Sequence, residues 1–127
     1  MVQVAYAIGV ADPVGIYVNT NGSCKLKNKS GKKLTDSEIA LKVKEVFDLR
    51  PFAIVKRFGL KNPIFAPSAS YGHFGRDFRT EIVEVYYQDE HTEIREINNK
   101  IRYFKNVEFF AWEKLDYVDR LKLAFEL

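Results

Sequence analysis

The chain has 127 residues, 46% hydrophobic and 14% aromatic, with a formal net charge of +3. That fits one domain with a real core and excludes a disordered composition. No apolar run is long enough to span a bilayer, the charge is too small to argue for nucleic acid, and one cysteine, Cys24, excludes an internal disulfide.

In chain order, Val2 to Ala11 alternates large residues (Val2, Val4, Tyr6, Ile8, Val10) with small ones (Ala5, Ala7, Gly9, Ala11). This predicts a strand with two buried faces of unequal size, the small face open to close approach. Asp12-Pro13 breaks the run, and Val14, Ile16 and Val18 resume it, so residues 2–20 are expected to form an antiparallel hairpin that ends at Asn19 to Gly22. Cys24 to Lys33 is a polar loop carrying Lys25, Lys27, Lys29, Lys32 and Lys33. Thr35-Asp36-Ser37-Glu38 has the form of a capping box, with Leu34 and Ile39 at staple positions. The stripe Ile39, Val43, Val46, Phe47 predicts a helix over 36–48. Pro51 suits the first position of a second helix, with Phe52, Val55 and Phe58 as its buried side and Gly59 as its end.

Residues 60–77 read as loop, with Phe58, Phe65, Tyr71 and Phe74 expected in the core. From Phe78 to about Phe109 the pattern is β-rich. Val83, Val85 and Tyr87 alternate, and Asn98-Asn99 is placed as a two-residue turn between Glu93–Ile97 and Lys100–Phe104. Val107 to Trp112 extends or follows that hairpin. A closing helix follows Asp116, with Tyr117, Val118, Leu121, Ala124 and Phe125 on one face that docks on the body.

The glycines of Tyr71-Gly72-His73-Phe74-Gly75-Arg76 suit a tight loop that exposes an imidazole near a guanidinium, a possible anion site on physical grounds alone. The string, preceded by Pro63-Ile64-Phe65, resembles the signature near the C-terminus of S-adenosylmethionine synthetase (methionine adenosyltransferase). Tyr6-Ala7-Ile8-Gly9-Val10-Ala11-Asp12-Pro13 is similar to that family's strand and turn, with Asp for Glu. Phe47-Asp48-Leu49-Arg50-Pro51 is similar to its helix junction, and Phe110-Ala111-Trp112-Glu113-Lys114 to its late motif, with Ala for Pro. All four stand in the family's order.

The resemblance implies an α+β fold, an antiparallel sheet with helices packed on one face, incomplete here, plus an inserted β-hairpin or meander and a C-terminal helix. It divides the chain into 1–77, the body of the C-terminal domain; 78–109, a β-rich insertion; and 110–127, the tail and helix of the same domain. The chain opens directly in a strand, and the resembled segment lies past the middle of the enzyme. A C-terminal fragment or expressed sub-domain is therefore expected, with Met1 added for expression. For the parent the resemblance implies synthesis of S-adenosylmethionine from ATP and L-methionine, release of phosphate and pyrophosphate, Mg²⁺ and K⁺ as cofactors, and a homo-oligomer, dimer or tetramer, in the cytoplasm. No membrane or nucleic-acid partner is expected.

Triphosphate departure needs Mg²⁺ on carboxylates and cations on the phosphates. The family's motifs for this, a His-Pro-Asp, a Gly-Asp-Gln-Gly loop and a Phe-Ser-Gly-Lys-Asp loop, do not occur in these residues. No catalytic, cofactor-binding or metal-ligating residue is carried over, no cofactor is expected on this fragment, and the fragment alone is expected to be inactive. One substrate contact is implied, Ile8 at the edge of the methionine pocket; its bland alternative is a core strand residue.

His73 with Arg76 could bind an anion, or His73 could act as a general base, but His73 reads first as a loop histidine that bonds to backbone and shapes the turn, and His91 beside Asp89 and Glu90 reads as a solvated turn. The lysine loop lacks a phosphate cradle and interleaved aromatics, and Cys24 lacks a nearby base. Two rival readings stand beside the family one: an interaction module using the β insertion, and a small nucleic-acid-binding domain using the lysine loop.

Overall fold

The computed structural model describes residues 1–28 and 30–127. They form an α+β structure of two compact units, one of residues 1–54 with 116–127, the other of residues 55–115. Two antiparallel sheets, three α-helices and two short 3₁₀ helices make up the regular elements among the described residues.

In the first unit, β1 (Val2–Ala5) pairs with β2 (Gly15–Val18), Val2 opposite Val18 and Val4 opposite Ile16. The hairpin expected over 2–20 is present, but its first strand stops at Ala5 rather than Ala11. Gly9 takes φ +82°, the Val10 N–H donates to the Ala7 carbonyl at 3.2 Å, and the Val14 N–H closes the connection on the Ala5 carbonyl at 2.9 Å. The small residues that mimic a buried strand face instead permit a wide turn. On the other side, Gly15 lies opposite Ala5 and Tyr17 opposite Gln3, and this face is exposed.

The helix α1 (Asp36–Val46) begins at the capping box read from the sequence. The Glu38 N–H donates to the Thr35 hydroxyl at 3.3 Å, and the Thr35 N–H donates to the Glu38 carboxylate at 2.7 Å. Asp36 also accepts the Thr20 hydroxyl at 2.7 Å, which ties the helix start to the end of β2. Helix α1 packs on β2 and on α3 (Val118–Ala124). Tyr117 stacks on Phe47 at 4.7 Å, and Lys42 donates to the Ala124 carbonyl at 2.6 Å, so the closing helix docks with Tyr117, Leu121, Ala124 and Phe125 half-buried, while Val118, expected on the same face, is exposed.

Between α1 and α2 (Pro51–Arg57) the chain turns through Asp48-Leu49-Arg50. Arg50 holds the Asp48 carboxylate with a two-nitrogen fork at 2.9 and 2.6 Å. Its side chain, and next its backbone N–H, lower the Asp48 pKa from the usual 3.8 to about 2. In α2 the half-buried side is Ala53, Ile54 and Val55, while Phe52 is exposed, against expectation. At 100° per residue, Phe52 lies about a third of a turn from the Ile54–Val55–Phe58 stripe.

In the second unit, β3 (Arg79–Val85), β4 (Thr92–Ile97) and β5 (Lys100–Phe109) form a meander in the order β3-β5-β4. Asn98 and Asn99, at φ 54° and 56°, make the two-residue turn that their amides favour. Strand β5 runs through to Phe109, so Val107 extends the hairpin. The core is Ile64, Val107, Phe109 and Phe110, with Leu60, Val83 and Trp112 against it. Arg79 is opposite Phe109, so the meander leaves and returns at one place. Phe65, Tyr71 and Phe74, expected in the core, are exposed; Phe58 is half-buried. The short 3₁₀ turn at Ala66–Ala69 and the left-handed Tyr71 carry the chain outward after Ile64.

Ile64→Ala is expected to destabilise the second unit by about 2–5 kcal/mol, read by denaturant unfolding, because it opens a cavity beneath β5. A loss below about 1 kcal/mol contradicts this core. The Asp48 carboxyl, depressed by Arg50, contributes stability that is present above pH 3.8 and lost as the pH falls through about 2. In ¹³C NMR titration its midpoint is expected near 2, moving toward 3.8 in Arg50→Gln.

Candidate functional site

The two segments with the strongest sequence signal lie one in each unit. In the first, Ile8 sits on the loop between β1 and β2, and its side chain is completely exposed. The loop is braced behind it by the Tyr6 hydroxyl, which donates to the Leu49 carbonyl at 2.7 Å. Gly9 next to Ile8 has open space where a Cβ would stand, so its positive φ, not crowding, demands glycine. An aliphatic side chain on a braced turn is suited to covering an apolar ligand group or a neighbouring polypeptide; it has no acid–base chemistry. The bland alternative, a core strand residue, does not describe Ile8 in this unit.

In the second unit, Tyr71 to Arg76 forms the expected glycine-hinged loop, with φ +84° at Gly72 and +69° at Gly75. Its shape is fixed by residues far along the chain. Trp112 Nε1 donates to the His73 carbonyl at 2.7 Å, and the Gly75 N–H donates to the Glu113 carboxylate at 2.7 Å. Arg76 donates to the Ser70 carbonyl at 2.7 Å and lies over the Phe110 ring at 4.9 Å. Arg76 thus gives one donor to the loop and its face to the Phe110 ring, and Glu113 brings a carboxylate to the same loop, which disfavours an anion there. Tyr71 and Phe74 are left in water. The Trp112 and Glu113 contacts are absent from the sequence reading. Each joins residues nearly forty positions apart, and the one signal was that both motifs flank the same β-rich block.

The lysine loop is a tight turn. Lys27 and Lys33 form an antiparallel bridge, and the Asn28 side chain accepts from the Ser30 and Lys32 N–H groups at 3.1 and 3.0 Å. Those amides are thus unavailable to a phosphate. Lys33 donates to the Gly22 carbonyl at 2.8 Å; Lys29 lies outside the described residues. His91 pairs with Glu90 at 3.2 Å in an exposed turn, while the neighbouring Asp89 is held below its usual pKa by Lys105 first and then by the His91 backbone N–H. Among the described residues no three His, Cys, Asp or Glu side chains gather to hold a metal ion. An open groove of about 330 Å³ beside the helix junction, lined by Asp12, Ile16, Lys44, Phe47 and Arg50, mixes both signs of charge. No helix among the described residues is long and apolar enough to cross a membrane.

Residues 1–85 match the family described as S-adenosylmethionine synthetase, C-terminal domain. Over its whole length the chain is 50% identical to an S-adenosylmethionine synthase of Porphyromonas gingivalis and 49% identical to one of Phocaeicola vulgatus. Over 98% of its length it is 46% identical to one of Cytophaga hutchinsonii. It spans 26% of the length of each of these relatives, whose matched regions include the segment after residue 85. No solved structure matches. The ordered motifs, the α+β architecture and these matches agree: the chain belongs to the S-adenosylmethionine synthetase family, in the part that forms its C-terminal domain.

Proposed function

We propose that this chain is a C-terminal part of an enzyme that joins L-methionine to the adenosyl group of ATP, forming S-adenosylmethionine and releasing phosphate and pyrophosphate. The observation that carries the reading is the match of about half identity along the whole chain to proteins named S-adenosylmethionine synthase. The reaction expels a polyanion, and its stabilisation requires converging cations and a metal. The described residues offer no metal-ligating cluster, and the lysine loop turns its amides inward. The Mg²⁺ and K⁺ ions and the catalytic groups are assigned to polypeptide outside these residues, because the motifs the family uses for them do not occur in this sequence. The enzyme is assigned to the cytoplasm as a dimer or tetramer.

Within this division of labour Ile8 is the substrate contact. Its support is its place on a braced loop with a side chain that nothing in its own unit covers. Burying an isoleucine against an apolar group is favourable by about 1.5–3 kcal/mol, which suits the methylthioether of methionine. Residues 78–109 are assigned as an insertion in the domain formed by 1–77 and 110–127. Its two ends meet at the Arg79–Phe109 pair, so such a block adds to the body without separating the motifs that flank it.

The full-length protein is expected to form S-adenosylmethionine from ATP, methionine, Mg²⁺ and K⁺, while residues 1–127 alone form none. Turnover by the isolated chain contradicts the assignment. In the full-length enzyme, Ile8→Ala is expected to raise KM for methionine about tenfold with KM for ATP unchanged. Equal effects on both substrates contradict the pocket role.

A further inference from the structure

We propose that β4 is a contact between two copies of this protein, made by antiparallel edge-to-edge pairing centred on Ile94. In the β3-β5-β4 order, β4 pairs with β5 and lies at the sheet edge. Backbone direction alternates along an antiparallel strand. Ile97 and Lys100 flank the two-residue turn and point their backbone groups at each other. The alternation then turns the backbones of Thr92, Ile94 and Glu96 outward. In agreement, the Thr92 N–H bonds to the Asp89 carbonyl at 3.2 Å, away from β5. Open edges are commonly blunted by charged side chains, lysine above all, by proline or by a bulge. The run Thr-Glu-Ile-Arg-Glu-Ile carries Glu93, Arg95 and Glu96, charges of both signs, but has neither lysine nor proline and pairs with β5 without interruption. Arg95 lies over the Phe104 ring at 4.6 Å and pairs with Glu93 at 2.8 Å, and Ile94 is 56% exposed.

The charge pattern selects a second copy as the occupant. With Ile94 opposite Ile94 about a two-fold axis, Glu93 of each copy faces Arg95 of the other, and Thr92 faces Glu96. The two adjacent registers compatible with outward Ile94 put Glu93 against Glu93 or Arg95 against Arg95, and like charges directly opposite are unfavourable. The strand is therefore complementary to itself in one register, as an isologous contact requires. The intramolecular Glu93–Arg95 pairs of the two copies are exchanged for two intermolecular ones. This proposal does not depend on the catalytic reading, and its test does not use turnover.

In the full-length protein, Ile94→Cys is expected to give a covalent dimer with a short bis-maleimide cross-linker, because directly opposed Cβ atoms of a hydrogen-bonded pair lie about 5.5 Å apart, within the span of such a linker. The yield is expected to be several-fold above that of the parent and of Ile101→Cys, an exposed position on β5 away from the edge. Glu93→Arg and Arg95→Glu, each combined with Ile94→Cys, are expected to lower the yield, and mixing the two proteins to restore it, since opposite charges then face across the axis. Restoration by mixing is not expected of a pair acting only within one chain. A yield from Ile94→Cys no higher than from Ile101→Cys overturns the proposal, as does a mixture no better than either double variant alone. A thiol introduced by Ile94→Cys that is shielded from thiol reagents without cross-linking also overturns it, because that shows the edge covered by the rest of the same polypeptide.

Discussion

Two hydrogen bonds from the residues just past β5 fix the loop that carries the strongest motif. The Trp112 indole and the Glu113 carboxylate grip the His73 carbonyl and the Gly75 N–H. They reach the loop because Phe110 turns the chain with a left-handed backbone at φ 55°. That conformation costs a non-glycine residue about 1–2 kcal/mol. Complete burial of the phenyl ring, with the Arg76 and Arg79 guanidiniums against it, offsets the cost. The meander from β3 to β5 must close on the Arg79–Phe109 pair for any of this to hold. A long excursion of chain thus leaves the geometry of its two flanking motifs intact.

What was legible in the sequence was local. The capping box at Thr35, the Asn98-Asn99 turn and the apolar face of α3 each depend on residues a few positions apart, and each stands where its pattern placed it. The misreadings came from patterns that two conformations share. Small and large residues alternate from Tyr6 to Ala11 as in a strand, yet Gly9 and Pro13 make them a loop, because alternation alone does not say whether a neighbouring strand is available. The aromatics Phe65, Tyr71 and Phe74 read as core because they are large and apolar. They are exposed because the loop is anchored through its backbone, by partners nearly forty residues away that no local pattern encodes.

The chemistry divides in the same way. Four family motifs are present and in order, yet none brings a metal-binding cluster among the described residues, and Arg76 by the glycine loop and Lys33 in the lysine turn each donate to a nearby backbone carbonyl. What these residues present is a braced apolar tip at Ile8, the exposed sheet face of Gln3, Ala5, Gly15 and Tyr17, and a clamped loop with Tyr71 and Phe74 outward. The chain spans 26% of its relatives' length.

The clamp on the glycine loop is the point on which this account can be tested most directly, through amide hydrogen exchange at Gly75 in the full-length protein. The Gly75 amide is expected to exchange slowly and to lose its protection in Glu113→Ala, with exchange along Val107–Phe109 unchanged. A Gly75 amide that exchanges at the rate of an unstructured loop, or is indifferent to Glu113, contradicts the account.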